Sequence, residues 1–134
     1  SLIVFGAIAL LAASFGIINT LYMSVRERTR EIGLMKAMGL SNGKIFQLFS
    51  IEAILIGLIG SVLGILFASL AGDALNNFAS KDFLKGLEGF NLTKFTLQNN
   101  ISITVIIAVV AFLAGALPSR SASKKDPIEA LRYE

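Results

Sequence analysis

Residues 1–25, SLIVFGAIALLAASFGIINTLYMSV, carry no charged side chain, whereas residues 26–39, RERTREIGLMKAMG, follow without a helix breaker and are crowded with charge. A 25-residue helix is about 37 Å long at 1.5 Å per residue, enough to cross a hydrocarbon core of about 30 Å. The switch at Arg26 therefore marks the place where a membrane-spanning helix meets water. Two further runs repeat the pattern. Residues 45–72 are uncharged except for Glu52, and Phe95 to Ser119 is uncharged with an apolar core at Ile101 to Leu117. The β-branched series Ile101, Ile103, Val105, Ile106, Ile107, Val109 and Val110 would suit a strand in water. Lipid demands internally satisfied backbone hydrogen bonds, which one isolated strand cannot provide, so a helix is expected.

The 134 residues are 54% hydrophobic and 16% charged, with a mean hydropathy of +0.74, against about 25% charged in ordinary soluble domains. We therefore expect an all-α, three-helix transmembrane region over 1–134, with spans at about 1–25, 45–72 and 98–117, the lipid bilayer being its solvent. The basic residues set its sides. Segment 26–44 holds Arg26, Arg28, Arg30, Lys36 and Lys44, and the tail 118–134 holds Arg120, Lys124, Lys125 and Arg132. Segment 73–97 holds only Lys81, Lys85 and Lys94, offset by Asp73, Asp82 and Glu88. The asymmetry places 26–44 and the tail in the cytoplasm and 73–97 outside. Ser1 opens directly on an apolar run with no basic n-region, so a piece of a longer protein is expected.

Several function classes drop out. The net charge of +3 comes with no basic stripe interleaved with aromatics, so no nucleic acid partner is expected. With no cysteine and no histidine, disulfides, thiolate or imidazole metal sites and His-dependent triads are excluded within the chain. No glycine-rich lysine loop for phosphate is present, and no catalytic residue, cofactor or metal ligand is assigned. A pore lacks ring-forming charges.

Local chemistry adds detail. Glu27 with Arg30 and Arg28 with Glu31 lie at i,i+3, which favours a helix continuing past the membrane surface. Along it Arg30, Gly33 and Ala37 share a narrow face, and Leu34, Met35 and Met38 a bulky one. Gly39 suits a helix C-terminus and Ser41 the N-cap of the next helix. Glu52, the one ionisable residue inside a span, lies about 10 Å along the helix from Ile45; it either pairs with a cation of segment 26–44 or serves a proton or substrate. Asn19 is expected to donate a hydrogen bond between helices. Small residues form stripes at Ala12, Gly16 and Thr20, at Gly57, Gly60, Ser61, Gly64, Ala68 and Gly72, and at Ala111 and Gly115. Gly60-x-x-x-Gly64 permits close helix approach, within the chain or across a dimer. Asp126, Pro127 and Glu129 form a capping arrangement that starts a short helix bearing Ile128 and Leu131, the alternative being a loose tail. Segment 73–100, with Phe78, Phe83, Leu84, Leu87, Phe90 and Phe95, reads as amphipathic and interfacial. Asn91-Leu92-Thr93 and Asn100-Ile101-Ser102 fit the glycosylation pattern, which arises often by chance.

Read in order, Gly16-Ile17-Ile18-Asn19-Thr20, Glu27 to Gly33, Lys36-Ala37-Met38-Gly39, Ile51-Glu52-Ala53, Leu117-Pro118-Ser119-Arg120 and Asp126 to Leu131 resemble the FtsX-like permease family of ATP-binding cassette transporters. The likeness is greatest to its MacB-like members and weakest between about 73 and 100. It implies the C-terminal transmembrane region of a multi-pass permease in the cell (inner or cytoplasmic) membrane. A further span and an extracytoplasmic domain would precede it. It also implies a cytoplasmic coupling helix between the first two spans, with Arg26, Glu27, Arg28, Arg30, Glu31, Gly33, Leu34, Lys36, Ala37 and Gly39 docking onto a cytoplasmic ATPase. The ATP and Mg2+ would be held by that ATPase, and a second permease copy or homologue would complete a dimer. Two activities follow from the resemblance: export or extracytoplasmic movement driven by ATP hydrolysis, and regulation of cell-wall hydrolases without substrate transport.

Overall fold

The computed structural model of the chain describes residues 2–82 and 94–132. They form five helices: α1 (Leu2–Glu27), α2 (Thr29–Ala37), α3 (Asn42–Asp82), α4 (Leu97–Ser123) and α5 (Pro127–Arg132), with no strand among the described residues. As the hydropathy predicts, α1, α3 and α4 are each long and apolar enough to cross a membrane. The β-branched stretch Ile101 to Val110 is helical throughout.

Lipid forces each hydroxyl on these helices to find a partner nearby. Ser14, Thr20, Ser61, Ser69, Ser102, Thr104 and Ser119 each donate to a carbonyl three or four residues earlier in their own helix, at 2.7–2.9 Å. Among the described residues, Ser50 Oγ is the buried side-chain polar atom left without a hydrogen bond.

Two helices run past the expected limits of their spans. The tail expected from Pro118 begins inside α4, which runs on to Ser123. Pro118 lacks an N–H and so frees the carbonyl of Ala114, but Pro118 is fully buried among neighbouring helices, where a membrane helix tolerates the loss. At the other end, α3 does not stop near residue 72. Its 41 residues make a rod about 62 Å long, twice a hydrocarbon core, so 73–82 continue the helix. Phe83, Leu84, Leu87, Phe90 and the Asn91-Leu92-Thr93 pattern lie outside the described residues.

Helix α4 is the centre of the bundle, packed closely on both α3 and α1. On α3 the buried row is Ile45, Phe49, Ala53, Gly57 and Ser61, every fourth residue; on α4 it includes Ala111, Gly115, Ser119 and Ala122. Such i±4 rows interdigitate. A Cβ placed on Gly57 would lie 2.5 Å from the Cβ of Ala111 and 3.5 Å from the carbonyl oxygen of Ile107, and one on Gly115 would strike Ala53. The antiparallel register is thus Ala53 to Gly115 and Gly57 to Ala111, with small residues on both sides. Helix α1 lies along α4, and its more buried positions Leu10, Ser14, Ile17, Leu21 and Val25 form a seam of near-heptad spacing.

Gly60 and Gly64 do not take part. No atom lies within 4 Å of a Cβ built on either. Ile103 and Ile107 of α4 line the space beside them. The result is an open apolar groove of about 180 Å³, lined also by Ser61, Ala68 and Phe95. The Gly60-x-x-x-Gly64 spacing therefore does not mediate close packing within the chain.

Candidate functional site at the basic end of the bundle

The two basic segments meet at one end of the bundle. There Val25 of α1, Ile32 of α2, Ile45 and Phe49 of α3 and Ala122 of α4 form one buried cluster, with Met35 packed against it. Four helices are tied together at this point by apolar burial, each fully buried large side chain contributing on the order of 1.5–3 kcal/mol.

Charge is arranged around the cluster. Helices α1 and α2 do not form the single rod expected from the sequence: they part at Arg28, with φ −99° and ψ 17°. The α-type hydrogen bonds run through the joint, Arg28 N–H to Ser24 O and Ile32 N–H to Arg28 O, both 3.0 Å. The Thr29 hydroxyl donates back to the carbonyls of Val25 and Arg26 at 2.8 and 2.9 Å. This local competition for carbonyls accounts for a bend rather than a termination. Arg28 Nε bonds Glu31 Oε2 at 2.9 Å, and its Nη1 lies 3.9 Å from Glu52 Oε2 on α3. The hydrogen bond that Arg28 donates to Glu31, with the attraction of both carboxylates, holds Arg28 more firmly protonated than a free guanidinium, against the opposing effect of burial. Glu27 and Arg30, also at i,i+3, are both exposed and form no ion pair among the described residues.

The far end of α2 is closed by a Schellman turn. Gly39 adopts φ +96°, its N–H donates to Lys36 O at 2.9 Å, and Leu40 N–H donates to Met35 O at 3.1 Å. Ser41 then caps α3: its carbonyl accepts from Lys44 and Ile45 N–H at 3.1 and 3.2 Å, and its hydroxyl lies 3.4 Å from Lys44 N. In the tail, Asp126 Oδ1 accepts from Ile128 N–H at 2.9 Å, starting α5 with Pro127 in its first turn.

Helix α5 packs on α2, and Lys36 Nζ donates to the carbonyl of Lys125. This pairing changes the reading of α2's faces. Gly33, expected to offer a narrow docking face, is buried within the chain, while Arg30 and Ala37 on that face are exposed. The bulky face divides: Met35 turns inward, and Leu34 and Met38 are 54% and 67% exposed, with Leu40 at 36% in the turn. Arg26, Glu31 and Lys44 are exposed around them. Nothing in the sequence signals the Lys36 bond, since its acceptor is backbone.

Asn19 was expected to bond across to another helix. It is exposed on α1 and makes no hydrogen bond among the described residues, because α1 turns the Leu10 to Val25 seam toward α4 instead. Of the glycines singled out for packing, Gly57 meets α4 and Gly60 and Gly64 do not. Among the described residues no three acidic side chains converge to hold a metal ion.

The sequence matches the family described as FtsX-like permease C-terminal over residues 3–127. It is similar to the macrolide export ATP-binding/permease protein MacB of Acinetobacter baylyi, 35% identical over 127 residues, which are 95% of this chain and 18% of that protein. It is also similar to the ABC transporter permease YtrF of Bacillus subtilis, 39% identical over 140 residues, 99% of this chain and 32% of the relative. The uncharacterized ABC transporter permease MJ1507 of Methanocaldococcus jannaschii is 32% identical over 130 residues, 96% and 31% of the two chains. The chain spans between about a fifth and a third of the length of these curated relatives.

Proposed function

The chain belongs to the FtsX-like permease family of ABC transporter permeases and is part of a multi-pass membrane protein, and from that membership we propose that its basic end docks a cytoplasmic ATP-binding cassette ATPase. The single observation that carries this reading is the apolar group Leu34, Met38 and Leu40, exposed beyond the end of the α1 span beside the basic segment. Apolar side chains facing water outside the lipid mark a protein interaction surface. Arg26, Arg30, Glu31 and Lys44 around them supply a charged rim, which sets orientation and partner choice.

ATP and Mg2+ are bound by the ATPase, not by this chain. Its cycle displaces α2, and the buried cluster passes that displacement to α1, α3 and α4, so that work done on the cytoplasmic side appears beyond the membrane as export or movement of a substrate. Several relatives are named for macrolide export, which favours transport over the regulation of wall hydrolases. We place the chain in the cytoplasmic membrane, with the two basic segments inside by the positive-inside rule, and beside a second permease copy or homologue.

The test is pull-down of the ATPase by the native permease carrying Leu34→Glu with Met38→Glu. Association falls by more than tenfold, as for loss of interface anchors, while membrane insertion is unchanged; undiminished association refutes the docking surface. Gly33→Trp is not an equivalent test, because Gly33 is buried and the added bulk strikes the chain's own packing.

A further inference from the structure

Helix α2 is joined to α3 at both of its ends. At its C-terminal end the link is covalent and tight, the Gly39 Schellman turn leading through Ser41 into α3. At its N-terminal end the link is the guanidinium of Arg28, shared between Glu31 of α2 and Glu52 of α3. The distances agree with this. Nine residues of α2 cover about 13 Å, and Ser41 to Glu52 covers about 16 Å of α3, so the two ends of α2 fall beside the turn and beside Glu52.

From this geometry we propose that Arg28 is a positioning residue whose pairing with Glu52 fixes the angle of α2 on α3, so that motion imposed on α2 is delivered to α3 rather than lost at the α1–α2 joint. The joint is the weak point of the alternative route. With ψ 17° at Arg28, α1 and α2 depart from one straight helix although α-type hydrogen bonds run through the joint, so Arg28 and the buried cluster, rather than helix continuity alone, relate α2 to its neighbours. The Glu52 side adds a reason for the pairing to persist. Within residues 45–72 Glu52 is the one acidic or basic side chain, and among the described residues Arg28 is the one cation within ion-pair distance of it. The half-exposed Arg28–Glu31 bond contributes little to global stability; its effect is to aim the guanidinium, since the planar fork can serve two carboxylates at once.

This inference rests on the proposed docking of an ATPase for its purpose, but its test does not. Spin labels on Arg30→Cys and Leu55→Cys report the distance from the N-terminal end of α2 to α3 in the native permease reconstituted in vesicles. Arg28→Gln and Glu52→Gln each widen the distance distribution about twofold, the double variant widens it no further, and the charge-swapped pair Arg28→Glu with Glu52→Arg recovers more than half of the original sharpness. With the ATPase present and without the labels, Glu52→Gln keeps its association, both single variants lower permease-dependent ATP turnover about threefold, and the swap restores it. An unchanged distribution in Arg28→Gln, widening that adds in the double variant, or a swap no better than the single variants overturns the positioning role. Those outcomes leave docking through Leu34 and Met38 standing, whereas undiminished ATPase association in the Leu34→Glu, Met38→Glu variant removes docking and leaves the label distances to judge Arg28.

Discussion

At the basic end, Phe49 of α3 is 1% exposed, in one cluster with Val25, Ile32, Ile45 and Ala122. About three turns further along the same helix, Gly60 has nothing within 4 Å of where a side chain would begin. The two regions share one rod and one solvent, yet one is packed like a protein core and the other stands open. The difference follows from which residues face each other. On α3 the buried row shrinks from Ile45 and Phe49 through Ala53 to Gly57, opposite Ala122, Gly115 and Ala111; beyond that, an open groove lies between Gly60, Gly64 and the Ile103 to Ile107 stretch of α4. Where no hydrophobic force draws helices together, contact depends on complementary shape, and beside Gly60 and Gly64 that match is interrupted.

The largest expected contrast lies between two phenylalanines of α3. Phe49→Ala lowers stability by about 3–4 kcal/mol, as for an aromatic lost from a packed cluster, whereas Phe67→Ala, 66% exposed, changes it by less than about 1 kcal/mol. Reversible unfolding in mixed detergent micelles, followed by far-ultraviolet circular dichroism, reads both, and equal losses would erase the distinction between the regions. Next comes the crossing itself. Gly115→Val destabilises by about 2–3 kcal/mol because its Cβ meets Ala53, and Ala53→Gly in the same chain recovers part of the loss; no recovery means the register is misassigned. Ser50→Ala should raise stability by about 1 kcal/mol, since it removes a buried hydroxyl without a partner. A loss instead would show that the hydroxyl is bonded in the membrane. The smallest effect is at the far end: Gly60→Ala shifts the unfolding midpoint by less than the equivalent of about 0.5 kcal/mol, and a large loss there would mean that another helix occupies the groove.

The features legible in the sequence are those decided locally. Apolar run length gave the three spans, Gly39 and Ser41 their turn, and Asp126 with Pro127 the start of α5, because solvent preference and capping involve residues a few positions apart. Features decided by a distant partner were not legible. Ala53 and Gly57 pack while Gly60 and Gly64 do not, and only the opposing side chains of α4 distinguish them. Asn19 faces outward because α1's other face is taken by α4. The bend at Arg28 is not marked by proline or glycine, and Gly33 is buried on a helix that packs on α5, almost a hundred residues away in sequence. Pro118 reads as a boundary in a single chain segment and is carried through by the helices around it.

The length of α3 has a mechanical meaning. From Phe49 in the buried cluster to Asp82, α3 extends about 50 Å as a helix without internal breaks. A long rod acts as a lever: a tilt of about 5° about Phe49 moves the tip by about 4 Å, while side chains one turn from that point move by less than about 0.5 Å, at the rise per turn of an α-helix. Small rearrangements on the basic side are thus geared up with distance from the fulcrum, and the amplification is set by the number of residues in the helix.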